Sequence, residues 1–321
     1  MKKTIWCFMP LVLICSTINT YQFTKITVLS APIGKNNTPA GRGPTVVRTN
    51  LLKGLKKLGV NFNYNPKQIR EVGDVLVVLS NIHALKQAIQ LKRQGIIKKL
   101  LAGPNLMVRS IDHNKILNAP ELDMYMVNSD WTFISYLEDL PSLKERLTIW
   151  PAGVDPEYWK PSKNNLKNKN VLVYVKKTGD KLAPKIKEIL EKYDWNPIEI
   201  VYGKYNPKQF KEALSKCHFA VFLSLAESQG IALAESWSMG VPTLPWNCRY
   251  LNAHGKIYTS VSSCPYLNDQ LGLDWKNIDE FESLIQNIET KLNNFSPRRW
   301  VLENMTCEIS AKIMLDIIES L

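Results

Sequence analysis

Residues 219–246, FAVFLSLAESQGIALAESWSMGVPTLPW, decide the fold. The apolar run Phe219–Leu223 has the length of a buried strand, and a polar loop at residues 227–230 follows it. Ile231–Met239 then predicts a helix that Gly240 ends, and Val241–Leu244 begins a second strand. A strand, a helix and a strand in this order indicate a βαβ unit of a parallel sheet. In open sheets of this kind, ligands bind beyond the carboxyl ends of the strands.

The turn of this unit combines an anion site with two carboxylates. The first N–H groups of a helix lack intrahelical acceptors, and the helix dipole favours negative charge there. Gly230 lets the backbone approach a ligand closely, Glu227 precedes the helix, and Glu235 lies about 6 Å further along it. The carboxylates would repel a diphosphate unless they accept hydrogen bonds from hydroxyls, which a nucleotide sugar carries on both sides of its diphosphate. Taken alone, the two acids also suit a solvated loop and a helix surface.

The remainder of the chain predicts two α/β halves. A short strand at residues 25–30 is followed by a loop with Gly41 and Gly43 and by a helix over Thr45–Leu58. Strands and helices alternate up to residue 150, and a strand at Asn170–Val175 opens the second half. We therefore expect a leader at residues 1–22, an amino-terminal domain at 23–153, a linker at 154–169 and a carboxyl-terminal domain at 170–321.

The last segment of the chain predicts one amphipathic helix over Arg298–Leu321. Its apolar residues recur at helical spacing along one side: Ile309, Ile313, Met314 and Ile317. Such a side suits either the interior of the protein or a membrane surface.

Composition and charge narrow the range of partners. The chain has 321 residues, of which 45% are apolar and 22% charged, so it is long enough for two domains with cores. The formal net charge of +12 favours anionic partners such as nucleotides or acidic lipid headgroups. Because the basic residues are scattered and no recognition helix accompanies them, nucleic acid is not an expected partner. The cysteines and histidines show no metal-ligand spacing, so we expect free thiols and no metal.

The first residues resemble a secretory signal. Lys2 and Lys3 precede an apolar run at residues 5–18, which is short for a membrane span. The segment Ile18–Thr20 lacks the small residues of a cleavage site, so an uncleaved anchor is the alternative. A nucleotide sugar, the ligand that would suit the turn at residues 227–235, is normally cytosolic, which conflicts with export or anchoring, and the sequence leaves the location open.

Glu227 and Glu235, with seven residues between them and Gly230 inside, resemble the E-x7-E motif of retaining GT-B glycosyltransferases of the family-4 type. Three further segments are similar to that family in the same order: GRG at 41–43, VNS at 127–129 and IWPAGVD at 149–155. The resemblance extends from about residue 25 to the end of the chain. It implies an α/β fold with two Rossmann-like domains facing across a cleft and a last helix that returns to the amino-terminal domain.

The resemblance also implies a reaction and roles for single residues. The reaction is transfer of a sugar from a nucleotide-diphosphate-sugar to an acceptor, with retention at the anomeric carbon. The sequence itself indicates no cofactor and no metal. Glu227 would hold donor sugar hydroxyls, Glu235 the ribose, and the amides near Gly230 and Ile231 would face sugar and phosphate. Lys177 and Lys181 would contact the diphosphate, with Lys176 as the next choice. Gly41 and Gly43 would contact the donor. Asn105 stands where many members carry a histidine. His83 is a further candidate for that histidine.

Two other functions fit the same architecture. A non-catalytic protein that binds a sugar or a nucleotide would explain the signal-like leader and the absent histidine. A nucleotide-sugar epimerase would need acid and base groups around the sugar, and a cleft poor in histidine disfavours it. The acceptor, which the sequence does not identify, would be a glycan, a lipid or a small molecule.

Overall fold

A computed structural model describes residues 25–31, 43–161 and 168–321, and these residues form two parallel sheets, a hairpin and the helices around them. The predicted leader, the loop with Gly41 and residues 162–167 of the predicted linker lie outside the described residues. The strands are β1 (Ile26–Leu29), β2 (Phe62–Tyr64), β3 (Val75–Ser80), β4 (Lys99–Asn105), β5 (Met124–Val127), β6 (Leu147–Ile149), β7 (Asn170–Val175), β8 (Asn196–Val201), β9 (Phe219–Leu223), β10 (Thr243–Pro245), β11 (Leu251–Ala253) and β12 (Lys256–Tyr258). The helices are α1 (Gly43–Lys57), α2 (Ile82–Arg93), α3 (Asp112–Lys115), α4 (Asp130–Asp139), α5 (Ala183–Lys192), α6 (Pro207–Leu214), α7 (Ile231–Ser238), α8 (Ile278–Gln286), α9 (Ile288–Leu292), α10 (Pro297–Asn304) and α11 (Cys307–Glu319).

The first sheet has the strand order β2-β1-β3-β4-β5-β6, and every neighbouring pair is parallel. All six residues of β3 are buried because helices cover both faces of the sheet. Leu76 and Val78 pack with residues of α2, whereas Val75 and Val77 pack with residues of α1 and α11. We call this sheet and its helices the amino-terminal domain.

The second sheet has the strand order β10-β9-β7-β8 and is also parallel. Its central strand β7 alternates in the same way: Leu172 and Tyr174 face one core cluster, while Val171 and Val173 face the other. The predicted strand over Phe219–Leu223 is confirmed as β9, and the predicted helix after it is α7. We call this sheet and its helices the carboxyl-terminal domain.

The final segment differs from the single helix that the sequence predicts. It forms two helices, α10 and α11, separated at Met305 and Thr306. The break has a local cause, because the Thr306 side chain accepts a hydrogen bond from Ile309 N at 3.2 Å and so begins a new helix. The buried side is also shifted by about one residue, to Cys307, Ser310, Ala311, Met314, Leu315 and Ile318.

Helix α11 packs on α1 of the amino-terminal domain through a close backbone approach at Gly54. A Cβ at Gly54 would lie 2.1 Å from the carbonyl oxygen of Cys307 and 2.8 Å from Ala311 Cβ. Only glycine therefore permits this crossing of the two helices.

We expect Gly54→Ala to lower the free energy of unfolding by about 1–3 kcal/mol, because overpacking outweighs the better helix propensity of alanine. The measurement is urea unfolding. Gly43→Ala is the matched control in the same helix, since the added Cβ there has no atom within 4 Å from elsewhere in the described part of the chain. Equal losses in both variants, or none in either, would contradict the role of Gly54.

Within the described residues, no helix combines the length and the apolar character that a membrane crossing requires.

Candidate active site

A cavity of about 220 Å³ lies between the two domains. The carboxyl ends of parallel strands from both sheets meet here, as expected for a ligand site in this architecture. The amino-terminal domain lines it with Gly43, Pro44, Val46, Val47, Asn105 and Asn128. The carboxyl-terminal domain contributes the charged residues Lys176, Glu227 and Glu235, the loop residues Ser228 to Gly230 and the start of α7. Aromatic rings complete the wall: Trp159, Tyr174, Tyr202, Tyr205 and Phe222. We call this space the cleft cavity.

Helix α7 begins at the wall of the cleft cavity. Its N-cap is Gly230, whose φ of 72° and ψ of 49° lie in the left-handed region that favours glycine. Because glycine has no side chain to cap the helix, the N–H groups of Ile231 and Ala232 have no acceptor among the described residues and are available to a ligand. The arrangement is suited to an anion.

The carboxyl-terminal domain holds the side chain of Glu227, and the amino-terminal domain holds its main chain. Glu227 Oε1 forms an ion pair with Lys176 Nζ at 2.6 Å and accepts a hydrogen bond from Ser224 Oγ at 2.8 Å. Its main-chain oxygen accepts a hydrogen bond from Trp131 Nε1 of the amino-terminal domain at 2.9 Å. No described residue donates to Oε2, so this oxygen is available to a ligand hydroxyl.

Glu235 occupies a different environment, although it lines the same cavity. The residue is only 8% exposed, and its carboxyl has no hydrogen bond or ion pair with any residue that the structure describes. Burial raises the pKa of Glu235 from its ordinary value of 4.5 to about 8. A buried carboxyl without a partner is costly, and ligand hydroxyls would supply the missing hydrogen bonds.

Of the three candidate lysines, one lines the cleft cavity and two do not. Lys176 lines the cleft cavity, and its Nζ lies 4.7 Å from the centre of the Tyr202 ring as well as next to Glu227. Lys177 and Lys181 are exposed and are not among the described residues that line the cavity. The backbone explains the difference, because Lys176 continues β7 in extended conformation, whereas Lys177 begins a 3-10 turn.

The candidate site residues of the amino-terminal domain also differ in whether they line the cleft cavity. Gly43 and Asn105 line the cleft cavity, and Asn105 Nδ2 is buried without a hydrogen-bond partner among the described residues. His83 is exposed in the first turn of α2 and does not line the cavity. Gly41 lies outside the described residues.

Gln229 joins the two domains beside the cavity, a contact that sequence analysis missed. This side chain is 5% exposed. Its Oε1 accepts hydrogen bonds from Asn128 Nδ2 at 3.0 Å and from Ala152 N at 2.9 Å, both in the amino-terminal domain. The loop that carries Glu227 is therefore fixed to both domains. The two polar residues between Glu227 and Gly230, Ser228 and Gln229, do not by themselves indicate this contact in the sequence.

The hairpin β11–β12 makes a further contact between the domains. Lys256 Nζ of the hairpin binds Asp139 at 3.0 Å and Glu138 at 2.8 Å, at the end of α4. Arg109 also holds Asp139, and this hydrogen bond, together with Lys256, keeps the pKa of the Asp139 carboxyl below its usual value. These ion pairs join the hairpin to the end of α4, and none of their residues lines the cleft cavity.

Two Rossmann-like domains facing across a cleft define the GT-B architecture, and this prediction is confirmed by solved structures of GT-B glycosyltransferases with the same fold. One is the catalytic domain of starch synthase IV from Arabidopsis thaliana bound to ADP and acarbose, with a TM-score of 0.63, 7% identity and coverage of 93% of this chain and 99% of that one. Another is HepE from Anabaena in complex with UDP, with a TM-score of 0.58, 10% identity and coverage of 93% and 100%. A third is AviGT4, a glycosyltransferase involved in avilamycin A biosynthesis, with a TM-score of 0.57, 11% identity and coverage of 92% and 98%. No family model matches the sequence, and no curated protein matches it. At these identities the likeness establishes the fold.

Proposed function

We propose that this protein is a glycosyltransferase that moves a sugar from a nucleotide-diphosphate-sugar to an acceptor, with retention at the anomeric carbon. One observation carries the proposal: Glu227, Glu235 and Lys176 line a single cavity at the start of α7, between the two domains of a GT-B fold. An anion site flanked by two separate carboxylates suits a diphosphate that has hydroxyl groups on either side of it.

The donor diphosphate would bind at the start of α7. There the helix N–H groups and Lys176 offset its charge, so that they stabilise the leaving group as charge develops on it. We propose that these groups, rather than a metal ion, carry that role. The nucleotides bound to HepE and to starch synthase IV are diphosphates, which supports a donor of the same chemical class here.

The two carboxylates would contact different parts of the donor. Glu227 is oriented by Lys176 and Ser224 and offers Oε2 to hydroxyls of the transferred sugar. Glu235, buried and without a partner, would accept hydrogen bonds from the ribose hydroxyls. When the donor enters, Lys176 would remain close to Glu227 while its ammonium also contacts the diphosphate.

The reaction needs no protein base at the acceptor. The acceptor oxygen forms a bond to the anomeric carbon, the bond from that carbon to the diphosphate oxygen breaks, and the acceptor proton passes to the leaving diphosphate. Asn105, on the opposite wall of the cavity, donates a hydrogen bond but takes no proton.

The test is a thermal-shift screen of nucleoside diphosphates followed by an assay with the matching nucleotide sugar. A ligand at 100 times its Kd stabilises the folded state by about 2.7 kcal/mol, which is readily measured. Release of nucleoside diphosphate from the donor is expected. An isomerised donor would indicate an epimerase, and tight binding without turnover would indicate a binding protein; either result contradicts the proposal.

The lysines provide a sharper test of where the diphosphate binds. Lys176→Ala is expected to weaken nucleoside diphosphate binding by about tenfold, the loss of one charge-assisted hydrogen bond, and to flatten its salt dependence. Isothermal titration at two salt concentrations measures both effects. Lys177→Ala removes the adjacent, exposed charge and is the matched control, with an expected change below twofold. A larger effect at Lys177 than at Lys176 would move the diphosphate out of the cleft cavity.

A further inference from the structure

A second cavity opens beside the cleft cavity and is lined by apolar residues. It has a volume of about 410 Å³ and lies over the carboxyl ends of β4 and β5 in the amino-terminal domain. Its apolar wall includes Leu106, Met107, Val108, Val127 and Trp131. None of the described residues that line it carries a formal charge. We call this space the apolar cavity.

The apolar cavity adjoins the cleft cavity. Pro44, Asn105, Asn128 and Ser228 line both. Asn105 thus stands at the junction, and its Nδ2 is the buried donor without a partner described above. A hydroxyl oxygen at the junction would accept a hydrogen bond from this amide and would lie next to the place proposed for the donor sugar.

Three further polar side chains of the apolar cavity already donate hydrogen bonds within the protein, and the Ser228 hydroxyl lies at the junction with the cleft cavity. The Asn128 amide donates to Gln229, the Thr132 hydroxyl donates to the Ser129 carbonyl at 2.7 Å, and the Tyr136 hydroxyl donates to the Met107 carbonyl at 2.9 Å. A sugar or a phosphate placed here would leave most of its polar groups without partners. An apolar group would give up no hydrogen bonds with water here, and its burial would contribute favourable free energy to binding.

We propose that the acceptor is a hydroxyl group on an uncharged, apolar body, with the body in the apolar cavity and the hydroxyl at Asn105. This inference rests on the proposed glycosyltransferase function and names its acceptor class. A cavity of about 150 Å³ holds one benzene molecule, so the space here suits a body of about two or three rings, or an aliphatic chain of similar volume. Asn105 acts as a positioning residue that donates to the acceptor oxygen, while that oxygen attacks the anomeric carbon and its proton passes to the leaving diphosphate.

The experiment compares three probes by equilibrium titration with the full chain: 2-naphthylmethanol, 2-methylnaphthalene, which lacks the hydroxyl, and methyl glucoside, a polar acceptor. Titrations are made with the nucleoside diphosphate bound. We expect 2-naphthylmethanol to bind about fivefold more tightly than 2-methylnaphthalene and at least tenfold more tightly than methyl glucoside. Methyl glucoside binding as tightly as 2-naphthylmethanol, or more tightly, would overturn the inference.

Two matched variants locate the binding. Val108→Asp places a charge on the wall of the apolar cavity at a residue that is 66% exposed, and it is expected to weaken 2-naphthylmethanol binding about tenfold. Ile134→Asp is the control, because Ile134 is 44% exposed but is not among the described residues that line this cavity. Equal affinities in Val108→Asp and wild type would overturn the inference.

A third variant, Asn105→Ala, is expected to remove the preference for 2-naphthylmethanol over 2-methylnaphthalene. An unchanged preference would overturn the role of Asn105.

Nucleoside diphosphate affinity and release of nucleoside diphosphate from the donor are measured in the same proteins. If wild type binds nucleoside diphosphate and releases it from the donor, but the probes give one of the overturning results above, the acceptor inference is wrong and the proposed function stands. If wild type binds no nucleoside diphosphate, the proposed function itself is wrong, and the acceptor inference falls with it.

Discussion

Glu227→Gln is expected to lower kcat/KM about ten- to a hundred-fold, the loss that follows from one charge-assisted hydrogen bond worth about 1.5–3 kcal/mol. Gln keeps the size of the side chain and removes the charge that would hold the sugar hydroxyls. If that hydrogen bond tightens as the sugar reaches the transition state, the loss appears mainly in kcat. Steady-state kinetics with the intact donor measure the effect.

The control for Glu227→Gln is binding of the free nucleoside diphosphate, which lacks the sugar. We expect this affinity to stay within about twofold of wild type. The variant removes the ion-pair partner of Lys176 without removing Lys176 itself, so the diphosphate keeps its cation. Wild-type turnover in Glu227→Gln would remove the main reason for assigning this carboxylate to the donor sugar.

The sequence predicts those parts of the fold that depend on local pattern. β9 and α7 follow from an apolar run of strand length and from a helix that starts after glycine, so their positions are found within one residue. β2, in contrast, has only three residues, all half-buried at a sheet edge, and no apolar run marks it. The break between α10 and α11 depends on one capping threonine inside a pattern that suits a continuous helix.

The sequence likewise predicts those parts of the candidate site that depend on local pattern. Glu227 and Glu235 lie on the turn and the helix of one βαβ unit, so their common cavity follows from spacing alone. The choice between Lys176 and Lys177 depends on the residue at which β7 gives way to a turn, and a difference of one residue changes which lysine reaches the cavity. The contact of Gln229 with Asn128 joins residues 101 positions apart, and no local pattern reports such a pairing.

Glu235→Gln is expected to stabilise the protein without ligand at neutral pH. The folded-state pKa of about 8 lies above the ordinary value of 4.5, so between these values the folded state holds a proton that the unfolded state has released. Stability therefore falls as pH rises from about 4.5 to about 8, and Gln removes this dependence. At 1.36 kcal/mol per unit of pKa, the gain in the free energy of unfolding reaches up to about 3 kcal/mol at pH 7.

The measurement is denaturant unfolding of wild type and Glu235→Gln at several pH values from 4 to 8. The difference between the two should be small near pH 4 and should grow with pH. Glu227→Gln is the matched control from the same cavity, and it should show no such gain because it removes a carboxylate that is paired with Lys176. The stabilised Glu235→Gln protein should nevertheless bind nucleoside diphosphate more weakly, since Gln offers the ribose hydroxyls one neutral acceptor oxygen in place of the two carboxylate oxygens. A variant that gains stability and binds as wild type does would show that Glu235 is buried for another reason than the donor.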